Sequence, residues 1–252
     1  MPSWSATRNP AETIATIRWL LAPARLPAGV RVYAIGDIHG SDQELGAIHA
    51  AIGSDVVLRP VPRAVVVHLG DYFDHGPDSA AVLARLMPPS PVAGARVVSL
   101  GGDHEQMILD ALQGDRAATT DWLHSGGEAT LRSFGIDPAS PRETWAGALP
   151  PALPQFLKGL LPSHREGGYL FVHAGVRPGV ALDRQERQDM LGIRQSFLSS
   201  EQDFGAVVVH GHTPVSIPAV RSNRIALDTG AGMGGRLSCL VLEEDSAGLF
   251  WA

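Results

Sequence analysis

The stretch that decides the fold is Val-Val-Val-His-Leu-Gly-Asp-Tyr-Phe-Asp-His-Gly, residues 65–76. Its first half is a short apolar run rich in valine, which is typical of a buried β-strand. Its second half begins at a glycine and carries Asp71, Asp74 and His75. Ligands of open α/β sheets bind outside the carboxyl ends of the strands. The stretch therefore predicts a strand that ends at a functional site.

Four other apolar runs end in similar side chains. The residues that follow these runs are Asp37 and His39, Asp103 and His104, His173, and His210 and His212. The acids that follow the first three runs, Asp37, Asp71 and Asp103, are separated by about one βαβ unit, roughly 30 or more residues. Neighbouring parallel strands would bring such residues to one edge of a sheet. The combined pattern predicts a metal-dependent active site.

The order of the predicted elements indicates the fold class. Helices are expected at residues 42–52, 78–86 and 105–112, between the first strands, and this alternation predicts parallel pairing with right-handed crossovers. After His173 the chain has short apolar runs at 219–221, 224–227, 236–243 and 249–252 joined by tight turns, which favours antiparallel hairpins and a second sheet. The expected fold is α/β, with two mixed β-sheets packed as a sandwich and helices outside.

Two further segments depart from the strand–helix alternation. Asn9-Pro10-Ala11-Glu12 is a typical helix start, which predicts an N-terminal helix at about residues 9–22. Residues from about 114 to 163 contain helical segments separated by prolines, which predicts a helical insertion over the strand ends that shapes substrate access. The alternative is that the insertion has a structural role only and does not affect substrate access. We expect one domain over residues 1–252.

Composition limits the functional classes. The chain has 252 residues, of which 44% are hydrophobic and 18% charged, so a sizeable core can form. A net charge of −6 argues against nucleic-acid and acidic-membrane partners. Cys239 is the only cysteine, so no internal disulfide can form, and no apolar run approaches the ~20 residues of a membrane span. With no secretory signal in the sequence, we expect a cytoplasmic protein.

The candidate metal ligands are aspartates and histidines, which suit Mn, Fe or Zn. Asp71 can bridge two ions about 3.5–4 Å apart, which would clamp a phosphoryl group and hold a hydroxide for direct attack. His210, as the last strand residue, is expected to face the core, so His212 is the preferred ligand. His49, His68, His124 and His164 lie away from the motifs. The predicted ligand set is Asp37, His39, Asp71, Asp103, His173 and His212.

A general acid is expected beside these ligands. His104 follows Asp103 directly, and Asp74 lies three residues after Asp71. A carboxylate that holds an imidazole favours the protonated ring, which can then give a proton to a leaving group. We therefore predict that His104 is the catalytic acid and that Asp74 orients it.

The motifs together resemble the phosphoprotein phosphatase family of calcineurin-like metallophosphoesterases. The similarity is closest to small bacterial serine/threonine phosphatases and phage-type phosphatases, and more distant to diadenosine tetraphosphate hydrolases. It implies a β-sandwich α/β fold, two divalent metal ions, often manganese, and hydrolysis of phosphoesters. In chain order, the matching motifs are Asp37-Ile38-His39-Gly40, Gly70-Asp71-x-x-Asp74-x-Gly76, Asp103-His104-Glu105, His173-Ala174-Gly175 and Gly211-His212-Thr213-Pro214.

Two residues depart from the pattern that the resemblance implies. The family usually has arginine at the position of His75, where the guanidinium binds the phosphate through two parallel hydrogen bonds. Histidine cannot make this bidentate contact. The family usually has asparagine at the position of Asp103, where an aspartate adds a negative charge. Arg194 falls where relatives carry another phosphate-binding arginine, and Arg177 and Arg132 are looser candidates. Both departures reduce the positive potential at the substrate.

The leading functional hypothesis is a phosphomonoesterase for phosphoserine and phosphothreonine, with phosphotyrosine as a further candidate substrate. Its partners would be phosphoproteins or small phosphoesters, and manganese is the favoured ion. One alternative is a nucleotide or dinucleoside polyphosphate hydrolase, although the insertion offers only scattered arginines with Trp122 and Trp145 for a base. Another is a metal-binding regulator with weakened catalysis, against which the retained His104 and Asp74 argue.

Overall fold

The computed structural model describes residue 17 and residues 19–252, which form two stacked β-sheets with helices on their outer faces. The first sheet has the order β1-β11-β10-β2-β3-β4, and the second has the order β5-β6-β7-β9-β8. The strands are β1 (Leu20–Leu21), β2 (Val30–Ile35), β3 (Arg63–His68), β4 (Ala95–Ser99), β5 (Ser163–Glu166), β6 (Tyr169–Val172), β7 (Val207–His210), β8 (Ala219–Val220), β9 (Arg224–Ala226), β10 (Ser238–Glu243) and β11 (Ser246–Trp251).

Parallel pairing aligns the strand ends that matter for the site. Strands β2, β3 and β4 run parallel, with Ile35 opposite His68 and His68 opposite Ser99. In the second sheet β6 and β7 are also parallel, with Phe171 opposite Val209. Both sheets also contain antiparallel pairs, so the prediction of two mixed sheets is confirmed.

The helices cover the two outer faces. They are α1 (Asp42–Leu58), α2 (Ser79–Leu86), α3 (Asp103–Gln113), α4 (Arg116–Trp122), α5 (Glu128–Ser133), α6 (Arg142–Ala148), α7 (Ala152–Gly159), α8 (Arg187–Gly192) and α9 (Gln195–Leu198). Helix α1 has acids in its first turn, where the helix dipole favours negative charge, and it buries Leu45, Ile48 and Ile52 against the first sheet. None of the helices in the described part of the chain has the length and apolar character needed to span a bilayer.

The core has three layers. The middle layer lies between the sheets and contains β-branched side chains such as Val67 of β3 and Val209 of β7. An outer layer packs the first sheet against α1, α2, α3 and the helices of residues 114–163, hereafter the insertion. The other outer layer packs the second sheet against α8 and α9, with Phe197 fully buried. The two packed sheets therefore support the loops at their shared edge.

Two predictions about secondary structure need correction. The predicted N-terminal helix at 9–22 is wrong at Leu20–Leu21, where the chain forms β1 against β11, while residues 9–16 and 18 lie outside the described residues. The exposed edge of β11 offers backbone hydrogen-bond partners that a periodic pattern does not reveal. The C-terminal hairpin β10–β11 joins the first sheet through β2 rather than the second. The predicted hairpin in the second sheet is confirmed for β8 and β9.

Candidate active site

The predicted ligands meet at one edge of the stacked sheets. Asp37 and Asp71 lie in the loops after β2 and β3, and Asp103 is the first residue of α3. His173 directly follows β6, and His212 follows β7. Their ligand atoms form two groups whose members lie within 4.8 Å of one another, and Asp71 belongs to both groups: Asp37, His39 and Asp71, and Asp71, Asp103, His173 and His212. A shared carboxylate between two such groups is the arrangement of a binuclear divalent metal site.

Hydrogen bonds orient the histidine rings toward the centre. Nδ1 of His39 lies 2.8 Å from the Phe73 carbonyl, and Nδ1 of His173 lies 3.0 Å from the Leu69 carbonyl. A carbonyl only accepts, so both Nδ1 atoms donate and both Nε2 atoms keep a lone pair for a metal. The Nε2 atom of His39 lies 3.6 Å from Oδ2 of Asp71, and that of His173 lies 3.4 Å from Oδ1 of Asp71.

Glu105 holds the loop that carries Asp71, a role that the sequence analysis missed. Its buried carboxylate accepts hydrogen bonds from the backbone N–H groups of Asp71, Tyr72 and Gly102, at 2.8, 2.9 and 2.9 Å. A Cβ on Gly102 would lie 2.0 Å from Oδ1 of Asp71, so only glycine permits this close approach. Burial and the nearby Asp71 raise the pKa of Glu105 to about 7.

The charge distribution fits bound cations. Burial, Asp228 and Asp71 raise the pKa of the Asp37 carboxyl well above its usual range, and burial also raises the pKa of Asp71 to about 7. Oδ1 of Asp37 is buried and has no hydrogen-bond partner in the part of the chain that the structure describes. Burial opposes ionisation of Asp103, but the adjacent imidazole rings of His173 and His212 lower its pKa below the usual range. Divalent cations would neutralise these crowded carboxylates and occupy the unpaired oxygen.

His104 and Asp74 form the predicted pair. Nδ1 of His104 donates to Oδ2 of Asp74 at 2.7 Å, which leaves Nε2 free to face a substrate. Burial alone would lower the pKa of His104, but the negative charges of Asp71 and Asp74 outweigh it and raise the pKa to about 10. The raised pKa favours the protonated ring, which is the form that a general acid requires.

The insertion contributes two partners of Asp74 that sequence reasoning did not find. The indole N–H of Trp122 lies 3.0 Å from both carboxylate oxygens, and Oγ1 of Thr130 donates to Oδ1 at 2.6 Å. These contacts span 48 and 56 residues of the chain. A local sequence pattern cannot predict such a contact, because the contact depends on how the insertion packs against the loop of Asp74.

A cavity of about 230 Å³ lies over the candidate metal ligands. Both predicted phosphate residues, His75 and Arg194, are exposed and line it, together with Asp228, which the sequence analysis did not single out. Partial desolvation of the ring in the cavity and the nearby His104 lower the pKa of His75, which favours its neutral form. Among the described residues that line the cavity, Arg194 is the only arginine or lysine.

The looser candidates lie elsewhere. Arg177 pairs with Asp189, and Arg132 pairs with Glu128 one helical turn away. His210 is fully buried, with Nδ1 at 3.0 Å from the Gly211 carbonyl and its ring packed against Phe197. None of these three candidates is among the residues that line the cavity.

Comparison with known proteins gives a family match and several relatives. The model of the family described as calcineurin-like phosphoesterase matches residues 30–234. Serine/threonine-protein phosphatase 1 of Salmonella typhimurium is 27% identical over 82% of this chain and 89% of its own length. A symmetrical bis(5'-nucleosyl)-tetraphosphatase of an Acidovorax species is 26% identical over 83% of this chain and 91% of its own length.

The fold is also found among solved structures. A crystal structure of a protein provisionally assigned as a diadenosine tetraphosphatase superposes with a TM-score of 0.61 and 20% identity. The superposition covers 91% of this chain and 98% of that chain. At this level of identity the likeness supports the fold alone.

Proposed function

Since this chain belongs to the calcineurin-like phosphoesterase family, we propose that it is a metal-dependent phosphomonoesterase that removes phosphate from phosphoserine and phosphothreonine in proteins. The observation that carries the proposal is the cavity with Arg194 as its one arginine or lysine among the described lining residues. One guanidinium matches one phosphoryl group, whereas a tetraphosphate chain carries several negative charges that would need more cations. The acidic side chains around the cavity strengthen this preference.

The metal ligands divide into two sets that share Asp71. We propose that Asp37, His39 and Asp71 hold one ion, while Asp71, Asp103, His173 and His212 hold the other. Carboxylate and imidazole ligands of this mixture suit manganese, with iron or zinc as alternatives. When bound, two such ions supply Lewis-acid stabilisation of the phosphoryl group and lower the pKa of an attacking water.

Three side chains of the protein bind the substrate and supply the proton for the leaving group. Arg194, which lines the cavity, binds the phosphoryl oxygens. His104 donates the proton on Nε2 to the leaving oxygen of serine or threonine as the phosphorus–oxygen bond breaks. Asp74 keeps the proton on Nδ1 in place, which fixes the orientation of the ring. The His104–Asp74 pair also speaks against a purely regulatory metal-binding protein, which has no use for a general acid.

Substrate comparison tests this proposal. Turnover of an aryl phosphate, a phosphoserine peptide and a dinucleoside tetraphosphate would be measured with Mn²⁺, Mg²⁺, Zn²⁺ and Fe²⁺. We expect kcat/KM to be highest for the phosphopeptide with Mn²⁺ and lowest for the tetraphosphate. Arg194→Lys keeps one charge but loses the two-pronged geometry, so it should raise KM for the peptide. A kcat/KM that favours the tetraphosphate would contradict the proposed substrate.

Hydrolysis of dinucleoside polyphosphates is the second candidate function. Its support is the similarity to the symmetrical bis(5'-nucleosyl)-tetraphosphatase of Acidovorax, which is about as strong as the similarity to the Salmonella phosphatase. The products of the tetraphosphate reaction would then distinguish symmetrical from asymmetrical cleavage.

A further inference from the structure

Asp74 is held from two sides by different parts of the chain. Its side chain is fully buried and accepts a hydrogen bond from His104 on one oxygen. On the other side, Trp122 at the end of α4 and Thr130 in α5 both donate to the same carboxylate. Both residues are fully buried and belong to the insertion. The insertion therefore reaches the group that orients the catalytic acid.

The insertion also holds the backbone around Asp74. Oγ1 of Thr130 accepts a hydrogen bond from the backbone N–H of Asp74 at 2.9 Å, and the Gly126 carbonyl accepts one from His75 at 3.3 Å. Asp74 and His75 have φ values of 70° and 58°, a conformation that residues with a side chain rarely adopt. A Cβ on Gly126 would lie 2.6 Å from Nδ1 of His75, so the two loops meet too closely for a side chain there.

We propose that Trp122 and Thr130 are positioning residues for the catalytic acid, acting through Asp74. This inference rests on the proposed phosphatase function. With its oxygens fixed by the indole and the hydroxyl, the carboxylate cannot rotate away from Nδ1 of His104. Nε2 then stays directed at the leaving oxygen, gives up its proton as the phosphorus–oxygen bond breaks, and leaves a neutral ring still hydrogen bonded to Asp74. The helical insertion thus supports proton transfer through its contacts with Asp74.

A positioning role and a purely structural role lead to different kinetics. Poor orientation of the acid slows substrates whose leaving group needs a proton, such as alkyl phosphates. It has little effect on 4-nitrophenyl phosphate, whose leaving group departs as an anion. A structural defect would instead lower the turnover of both substrates together and reduce the metal content.

The deciding comparison is Thr130→Val against Thr130→Ser. Valine keeps the side-chain volume and removes the hydroxyl, whereas serine keeps the hydroxyl. For Thr130→Val we expect kcat on a phosphoserine peptide to fall about ten-fold, the effect of losing one buried hydrogen bond. KM for the peptide and kcat on 4-nitrophenyl phosphate should stay within about two-fold of the wild type, since the acid contributes little to either. Thr130→Ser should behave like the wild type.

A second pair of variants tests the indole. Trp122→Phe removes the N–H that contacts Asp74, and Trp145→Phe removes an indole N–H of the same insertion that donates to Ser140 instead. We expect Trp122→Phe to lower kcat on the phosphoserine peptide but not on 4-nitrophenyl phosphate. Trp145→Phe should lower neither. Manganese content and the temperature of unfolding, measured on each variant, identify any loss that comes from misfolding.

A readout independent of turnover uses the metal-free protein. The Nδ1 proton of His104, identified in the proton NMR spectrum by its absence in His104→Asn, should exchange slowly in the wild type and in Thr130→Ser. It should exchange faster in Thr130→Val. Equal kinetic losses on both substrates, or an unchanged exchange rate in Thr130→Val, would overturn the positioning role. Absence of phosphoester turnover by the wild type with every metal would instead refute the proposed function.

Discussion

At the scale of single residues, Asp71 has the most connected position in the candidate centre. Its carboxylate lies 3.6 Å from Nε2 of His39 and 3.4 Å from Nε2 of His173, and it belongs to both ligand groups. We expect Asp71→Asn to abolish turnover and to lower the occupancy of both ions, because an amide supplies one weaker oxygen in place of a charged bridge. Elemental analysis after dialysis against limiting Mn²⁺ measures the occupancy. Asp121→Asn, an exposed change in the insertion, is the control.

His75 stands where the family usually carries arginine, and it lines the cavity. His75→Arg should raise kcat/KM for phosphomonoesters by roughly ten- to a hundred-fold, the effect of one charge-assisted hydrogen bond. Because partial desolvation and His104 lower the pKa of His75, any help from its charged form is confined to acidic solution. The kcat/KM of the wild type should therefore fall as pH rises and His75 loses its proton. The arginine variant should not show this fall.

A matched variant separates a local effect from a general charge effect. His124→Arg adds the same positive charge at an exposed position of the insertion. It should leave kcat/KM unchanged. Unaltered kinetics and an unaltered pH profile in His75→Arg would show that this position does not face the phosphate.

At the scale of elements, local patterns were sufficient wherever an element's own residues determine its structure. Short-range periodicity predicts the valine-rich strands β2, β3 and β4 and the helices between them. The alternation of strand and helix then predicts that these strands pair in parallel, as they do. The same patterns could not place β10, because its partner β2 lies about 200 residues earlier in the chain and every buried strand offers the same backbone groups. Trp122 and Thr130 were missed for the same reason, since their role depends on a distant carboxylate.

A buried pair of histidines links helix α1 to strand β3 and should make the free energy of unfolding decrease in acid. Nε2 of His49 lies 2.9 Å from Nε2 of His68, and burial lowers the pKa of His49 to about 4 and that of His68 well below its usual range. In the unfolded chain both histidines bind protons near pH 6.5. As pH falls below about 6.5, the unfolded state gains protons that the folded state does not bind. The free energy of unfolding should fall by up to about 1.4 kcal/mol per pH unit for each histidine.

The variant His68→Gln tests this link between burial and pH. It removes one titrating group, so the pH dependence of the free energy of unfolding should become shallower between about pH 6 and 4.5. Urea unfolding in the presence of a chelator gives that free energy at each pH. His124→Gln, which changes an exposed histidine, should keep the wild-type slope. Identical slopes in His68→Gln and the wild type would contradict the prediction.

At the scale of the whole molecule, both sheets supply ligands to one centre, so bound metal should stabilise the entire fold. Asp37, Asp71 and Asp103 follow strands of the first sheet, and His173 and His212 follow strands of the second. An ion present at a hundred times its dissociation constant contributes about 2.7 kcal/mol. For a protein of this size, chelation should therefore lower Tm by roughly 5–10 °C. Calorimetry with and without EDTA measures the shift, and Asp71→Asn should respond much less.

The placement of β10 has a consequence for how the protein is made. This strand lies between β11 and β2, although it is synthesised only after β1 to β9. Until Ser238–Glu243 has been synthesised, the β2 edge of the nascent sheet lacks its antiparallel neighbour and exposes unpaired backbone groups beside the loop of Asp37. Such an edge readily pairs with other chains. Chains that end before Ser238 should therefore depend on chaperones for solubility, whereas chains that include Ser238–Glu243 close this edge themselves.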